Sequence, residues 1–486
     1  MRSHDTTDFV VIGAGTAGSV VARRLVDAGY RVVVIEAGPS DTREEIGDPL
    51  RGAALFGGEV DWGFGTEPQP HAGGRVLYQP RGKTLGGSSV LNGMLYVRGS
   101  RADYDAWGDG WAWSDVEPRF RRLEAHHGGP VHIQRNTDPD PLVRAFVDAA
   151  VGAGHPFNHD YNAGDSRGAS FTQHTIKDGR RVTAWRAYVG PVRESPLLRV
   201  VTDALVSRIL IEGNRAVGVE YLAGGERHVI RVEREVVLSA GTFGTPQILL
   251  LSGLGPADHL RGHGIPVVAD LPGVGQNLRD HVGSPVVWES NRAVPMPHVN
   301  GIEAQIIADG GVGAAGNPDR QAVFISAVYS TIQENLPEQG FTALALLLHP
   351  HSRGRVGLRS ANPADAPVID LGLLSDPRDL EALVEHIESL RAVAEQPALH
   401  DWIKAEVYPG TSALRDYVRR AVDSGHHQVG TARIGTDQMA VVDPALRVHG
   451  IAGLRVADAS VMPTLPAGNT AGPTLMIGER AADLIG

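Results

Sequence analysis

Asp8-Phe9-Val10-Val11-Ile12-Gly13-Ala14-Gly15-Thr16-Ala17-Gly18 decides how this chain folds. The run from Asp8 to Ile12 has the pattern of a short strand buried on both faces. Beyond it, Val20, Val21, Leu25 and Val26 recur at a spacing of three to four, with Arg23 and Arg24 on the opposite face. That spacing predicts a helix, and Ala28-Gly29 closes it. Arg31 to Ile35 predicts a second buried strand, which ends at Glu36. In a strand–turn–helix of this kind Gly13 permits the turn, Gly15 lets backbone approach a pyrophosphate, and Gly18 lets helix and strand pack closely. The helix start offers free N–H groups and partial positive charge to phosphates. Glu36 is placed to accept hydrogen bonds from a ribose diol, which favours NAD or FAD over NADP and leaves those two open.

Composition sets the limits around this motif. The 486 residues include 60 glycines, above the usual ~7%, and no cysteine. A chain without Cys has no disulfide framework, no thiolate metal site and no Cys nucleophile. A formal net charge of −11 argues against a general nucleic-acid binder. No apolar run approaches the ~18 residues of a membrane span. Met1 to Thr7 is polar and does not read as a signal peptide, so a cytoplasmic protein is the expectation. The twenty histidines show no metal-ligand spacing combined with a carboxylate on one helix, and no metal site is expected.

A second glycine-rich stretch runs Gly82-Lys83-Thr84-Leu85-Gly86-Gly87-Ser88-Ser89-Val90-Leu91-Asn92-Gly93-Met94. Paired glycines and serines between apolar segments make a nest of N–H groups and hydroxyls suited to a strongly accepting ligand. Together with Tyr96, Gly99 and Asp105, this stretch resembles the first signature of the glucose–methanol–choline oxidoreductases, a family of flavoenzymes. Gly241-Thr242, Thr245-Pro246, Ile248-Leu249 and Ser252-Gly253-Leu254-Gly255 resemble the second. Leu271 to His281, Ser352-Arg353-Gly354 and Leu454 to Ser460 look like further landmarks, so the resemblance spans the chain.

The resemblance implies an α/β Rossmann-like FAD-binding domain, at 1–125, 190–285 and 430–486, interleaved with an α+β substrate domain at 126–189 and 286–429, where a β-sheet is covered by helices. Val200 to Leu238 reads as a β-rich excursion, and Asp379 to Val393 as an amphipathic helix of the second domain. Residues 286–340, which include Gly310-Gly311-Val312-Gly313, read as loop and as the place for a lid or substrate-specificity loop. By the same resemblance, FAD would meet Gly13, Gly15, Thr16, Ala17, Gly18, Glu36 and Ala37 on its ADP half, with Val206 at the adenine. Leu85, Gly87, Ser88, Asn92, Gly93, Met94 and Leu95 belong to the isoalloxazine side. Asp458 and Ala459 lie toward the ribityl chain and pyrophosphate, and Asn469 and Thr470 toward the flavin ring. Leu91 stands where some members carry a His bonded to FAD, so noncovalent FAD is expected.

The implied reaction is oxidation of an alcohol by hydride transfer to flavin N5, with oxygen or another carrier as final acceptor. A non-redox lyase that keeps FAD is the alternative. The hydroxyl proton needs a base, and His is the usual choice. In Gly425-His426-His427-Gln428-Val429-Gly430-Thr431, His427 matches the family base, and His426 beside it is a further candidate. The family's second catalytic His or Asn falls here on Ala471. Alanine cannot hydrogen-bond a hydroxyl, so either a side chain from elsewhere, His426 or Asn300, supplies the missing contact or His427 suffices alone.

Overall fold

The structure, a computed structural model, describes residues 6–297, 299–311 and 316–486. Its first sheet has seven strands. Thr6–Ile12, Val32–Ile35, Leu198–Val201, Glu226–Leu238 and Leu454–Val456 run parallel, and Glu226–Leu238 continues antiparallel into Arg215–Ala223 and then Leu205–Glu212. The apolar run of the first strand explains its central place. Phe9, Val10, Val11 and Ile12 are all buried between neighbours on both sides. The Val200–Leu238 excursion is therefore part of the same sheet as the N-terminal strands.

Helices Thr16–Asp27 and Ala471–Ile485 lie side by side in this domain. Gly478 makes the approach possible: a Cβ there would lie 2.7 Å from Cβ of Val20 and 2.9 Å from the Ala17 carbonyl oxygen. Glu479, fully buried, accepts from Arg24 (2.7 and 3.0 Å), from Tyr188 Oη (2.8 Å) and pairs with Arg122 (2.9 Å). A buried carboxylate is tolerated when it is paired and hydrogen-bonded in this way. The first and last helices of the chain thus share one ion cluster.

The second sheet also has seven strands and is antiparallel throughout. Its order is Ile403–Tyr408, Val282–Ser290, Gly340–Leu347, Arg320–Ile325, Ala304–Ala308 and Gly168–Phe171, with Asp423–Ser424 pairing Val282–Gly283. One face carries Val286, Trp288, Ala304, Ile306, Ala322, Phe324 and Ala343 into a core with helices Pro141–Gly152, Pro377–Ala394 and Leu414–Ala421. The helix expected at Asp379–Val393 is the inner part of Pro377–Ala394.

The loop reading of 286–340 is corrected. Most of one strand and the whole of two others, Ala304–Ala308 and Arg320–Ile325, lie there. These strands are buried on both faces, yet Gln305 and Gln321 interrupt their apolar runs, so neither the alternating nor the continuous apolar pattern of a strand appears. Gly310 and Gly311 follow the strand Ala304–Ala308, whereas Val312 and Gly313 lie outside the described residues.

Gly478→Ala should cost about 1–3 kcal/mol of stability by overpacking, despite the better helix propensity of Ala. Denaturant unfolding of the two proteins side by side checks this.

Candidate active site

The two glycine-rich turns meet backbone to backbone. Gly86 N–H donates to the Ala14 carbonyl (2.8 Å), and a Cβ on Gly87, whose φ is +51°, would lie 2.7 Å from Cα of Gly15. Within the first turn, a Cβ on Gly18 would stand 2.0 Å from the Gly13 carbonyl oxygen, and one on Gly13 2.5 Å from that of Ser239. These positions leave room for backbone alone. No side chain caps the N-terminus of helix Thr16–Asp27 at Gly15, and its first turn holds no acid. Such an end suits an anionic group. Thr16, Ser89, Asn92, Ala471 and Leu475 line one cleft at this junction, which joins three sequence-distant motifs.

Glu36 ends the second strand as expected, and its carboxylate also braces the turn. One oxygen accepts from Ala14 N–H (2.9 Å) and the other from Gly38 N–H (3.0 Å). Burial pushes it up to about 7. Ala204 N–H donates to the Glu36 carbonyl (3.0 Å) and Asp203 N–H to that of Gly38 (2.9 Å), and Val206, two residues beyond Ala204, is buried. Asp458 accepts from Gly241 N–H (2.9 Å), Thr245 Oγ1 (2.6 Å) and Ser460 N–H (2.8 Å). It clamps the second signature to the C-terminal segment beside Ala459.

The stretch around Leu85 is held from outside the first domain's core. Asn92 Oδ1 accepts from Met94 N–H (3.0 Å) and from Arg181 (2.9 Å), a buried arginine that sequence reasoning missed. Met94 sits at φ +61°. The Gly93 carbonyl accepts from Asn300 Nδ2, and Leu95 bridges His174. Ser88 Oγ accepts from Gly82 N–H (3.2 Å). Asn300 is thus committed to Gly93. Leu91 is buried with Ile46, Leu55, Val60 and Val90.

His427 is positioned by a buried carboxylate. Asp280 accepts from the His427 N–H (2.8 Å), from Gln428 Nε2 (2.7 Å) and from Ser424 Oγ, and burial raises it to about 7. Thr242 Oγ1 donates to the Gln428 carbonyl and Thr431 Oγ1 to the Thr242 carbonyl, both at 2.7 Å. His426, at φ +61°, turns its ring toward Ser424 (3.3 Å), and its carbonyl accepts from Arg81 (3.0 Å).

The His427 ring has two partners. Its Nδ1 lies 2.9 Å from Nδ1 of His281, and its Nε2 lies 3.0 Å from Nδ2 of Asn469. His281 Nε2 faces the Pro466 carbonyl at 3.1 Å. A carbonyl only accepts, so His281 carries its proton on Nε2 and its Nδ1 is a lone pair. His427 must then donate from Nδ1, which leaves its Nε2 as the accepting lone pair, facing Asn469 Nδ2. Burial, reinforced by Arg81, lowers His427 to about 3, and burial puts His281 well below the usual imidazole range. His427 is therefore a neutral imidazole of fixed tautomer. The Asp280-His281 landmark carried a signal for this partner, since an acid and a His stand next to each other in it.

The GMC oxidoreductase profile matches residues 7–283 with its N-terminal part and 350–478 with its C-terminal part. The chain belongs to the GMC oxidoreductase family. It is 40% identical to the oxygen-dependent choline dehydrogenase of Brucella suis, over 98% of this chain and 95% of that one. It is 38% identical to an alcohol dehydrogenase [acceptor] of Pseudomonas putida with the same coverage. Its fold is similar to that of pyridoxine 4-oxidase from Mesorbium loti, at a TM-score of 0.94, 33% identity and 98% coverage of both chains. This GMC oxidoreductase is an enzyme of CH–OH oxidation whose cofactor is FAD. The paired glycine turns, the uncapped helix start and the fixed imidazole fit that cofactor.

Among the described residues no helix is long and apolar enough to cross a membrane. One trio, Glu124, His126 and His127, brings ligand atoms within 4.8 Å of one another. Both oxygens of Glu124 already accept from Arg98, at 2.7 and 2.6 Å, which disfavours a metal there.

Gly87→Ala should abolish FAD binding while leaving the far-UV circular dichroism unchanged, because the added methyl falls where the two turns touch. The flavin-to-protein absorbance ratio of the purified variant checks this.

Proposed function

We propose that this GMC oxidoreductase oxidises an alcohol to a carbonyl with His427 as the base that takes the hydroxyl proton. The single observation that carries this reading is the lone pair on His427 Nε2. Gly13, Gly15 and Gly18 with Gly86 and Gly87 would admit the FAD pyrophosphate to bare backbone, and Glu36 and Val206 would border the ribose and adenine. Bound there, FAD supplies a two-electron acceptor for the substrate hydride. Everything else is the work of the chain. His427 stays neutral at working pH because burial disfavours its charged form. A hydroxyl donating to Nε2 can lose its proton there, and the Nδ1–H of the resulting imidazolium keeps its acceptor on His281. His281 acts through His427 as a positioning residue. Leu91 offers FAD no nucleophile, which supports noncovalent binding.

Three outcomes are expected. First, acid precipitation should release all flavin into the supernatant. Second, His427→Ala should slow anaerobic flavin bleaching by alcohol about 10²–10⁴-fold, and an unchanged rate would reject the base. Third, protonation disables this base, and its pKa lies below the ordinary value near 6.5. Bleaching efficiency at low substrate should therefore hold steady as pH falls from 8 to 6, and then decline. A loss centred near 6.5 or above would contradict the buried neutral imidazole.

A further inference from the structure

We propose that Asn469 supplies the catalytic hydrogen bond that Ala471 cannot make, and that Gln321 holds its carboxamide in the donating orientation. The proposal rests on the reading of His427 as base. The segment that carries Asn469 is pinned on both sides of the cleft. The Pro466 carbonyl accepts from His281, Ala467 N–H donates to Asp103 (2.6 Å), and Gly468, at φ +132°, presses against Val97 with room for no side chain. From this fixed backbone the Asn469 amide reaches His427 Nε2, two residues before the methyl of Ala471 at the start of the last helix.

The orientation of that amide follows from its neighbours. His427 Nε2 is a lone pair, so Asn469 must present its NH2 group there. Its Oδ1 then faces Nε2 of Gln321 at 3.5 Å. Gln321 Nε2 in turn donates to Gln305 Oε1 at 2.7 Å. Both glutamines are fully buried, on neighbouring strands of the second sheet, on the face away from its helices. That face meets the Pro466–Asn469 segment, where Ile307 and Leu348 pack on Ala467. The polar interruptions that hid these strands in the sequence are therefore a tether between the substrate sheet and the base. His426 and Asn300 hold other partners and make no such contact.

With Nδ2 and Nε2 3.0 Å apart, one hydroxyl can reach both once it displaces the Asn469 N–H from the Nε2 lone pair. It donates its proton toward His427 Nε2 and accepts from Asn469 Nδ2–H. When the O–H bond breaks, the proton forms a bond to Nε2 and the electron pair stays on oxygen, where the Asn469 N–H stabilises the negative charge. In the resting enzyme the same N–H occupies the Nε2 lone pair and disfavours its protonation.

The test compares wild type, Asn469→Ala, Gln321→Leu and Asn469→Ala/Ala471→Asn, all FAD-loaded. Anaerobic bleaching is followed across pH with choline, pyridoxine, benzyl alcohol and aliphatic primary alcohols. Asn469→Ala should slow bleaching about 10²–10³-fold and move its acid limb to higher pH. Gln321→Leu should slow it less and move the limb the same way. The double variant should recover at least tenfold over Asn469→Ala. In 15N-histidine-labelled protein without substrate, the His427 Nε2 resonance of Asn469→Ala should move toward that of a free pyridine-type nitrogen. A bleaching rate within threefold of wild type, or an unmoved acid limb and resonance, overturns the role of Asn469. A Gln321→Leu enzyme that loses FAD or melting temperature with its acid limb unmoved overturns the tether. Failure of every alcohol to bleach the wild type would instead defeat the alcohol-oxidation reading, and the resonance would still decide the Asn469–His427 contact.

Discussion

Two turns without side chains touch at the centre of this molecule, and most of the site depends on that contact. Because Gly87 carries no Cβ, the N-terminus of the first helix and the second glycine turn come close enough for one backbone hydrogen bond, from Gly86 to Ala14. The contact places the uncapped helix end, Ser89 and Asn92 around one cleft, and the last helix closes it with Ala471 and Leu475. Arg181 and Asp458 then fix the second turn and the C-terminal segment by charged hydrogen bonds to backbone and Asn92, inside a region where an unmade bond is costly. At Gly13, Gly18 and Gly87 glycine is therefore required by chain meeting chain.

The second constraint is a line of proton positions. The Pro466 carbonyl fixes His281, His281 fixes His427, and the accepting lone pair of His427 fixes the amide of Asn469. Each link follows from what an atom can donate or accept, and burial keeps both imidazoles neutral. Four separate segments supply the parts: the end of the 271–281 stretch, the 424–431 turn, the 466–470 turn and the strand bearing Gln321. The proposed proton transfer needs a lone pair that points one way, and this line gives the His427 imidazole that direction.

Legibility in the sequence varied with the kind of force involved. The first strand, the helix after it and the helix over 377–394 were visible because burial imposes a periodic apolar pattern on a local stretch. His427 was visible through its motif. The strands Ala304–Ala308 and Arg320–Ile325 were not, because Gln305 and Gln321 break the pattern and find partners only across the sheet. Asn469 stood out only through the family resemblance, as a residue expected near the flavin ring. Its contact with His427 depends on how Gly468 seats the turn against Val97.

The sequence by itself determined the nucleotide fold and the family and singled out His427, since each rests on residue types at short, fixed spacings. It also exposed the loss at Ala471 without showing what compensates for it. Tertiary structure alone decided the partner on each nitrogen of His427, the tautomer those partners imply and the placing of the buried glutamines beside Asn469. Those are matters of donor facing acceptor, at 2.9 to 3.5 Å, between residues as far apart as Gln321 and Asn469, distances that the packing of the second sheet against the 466–470 turn sets.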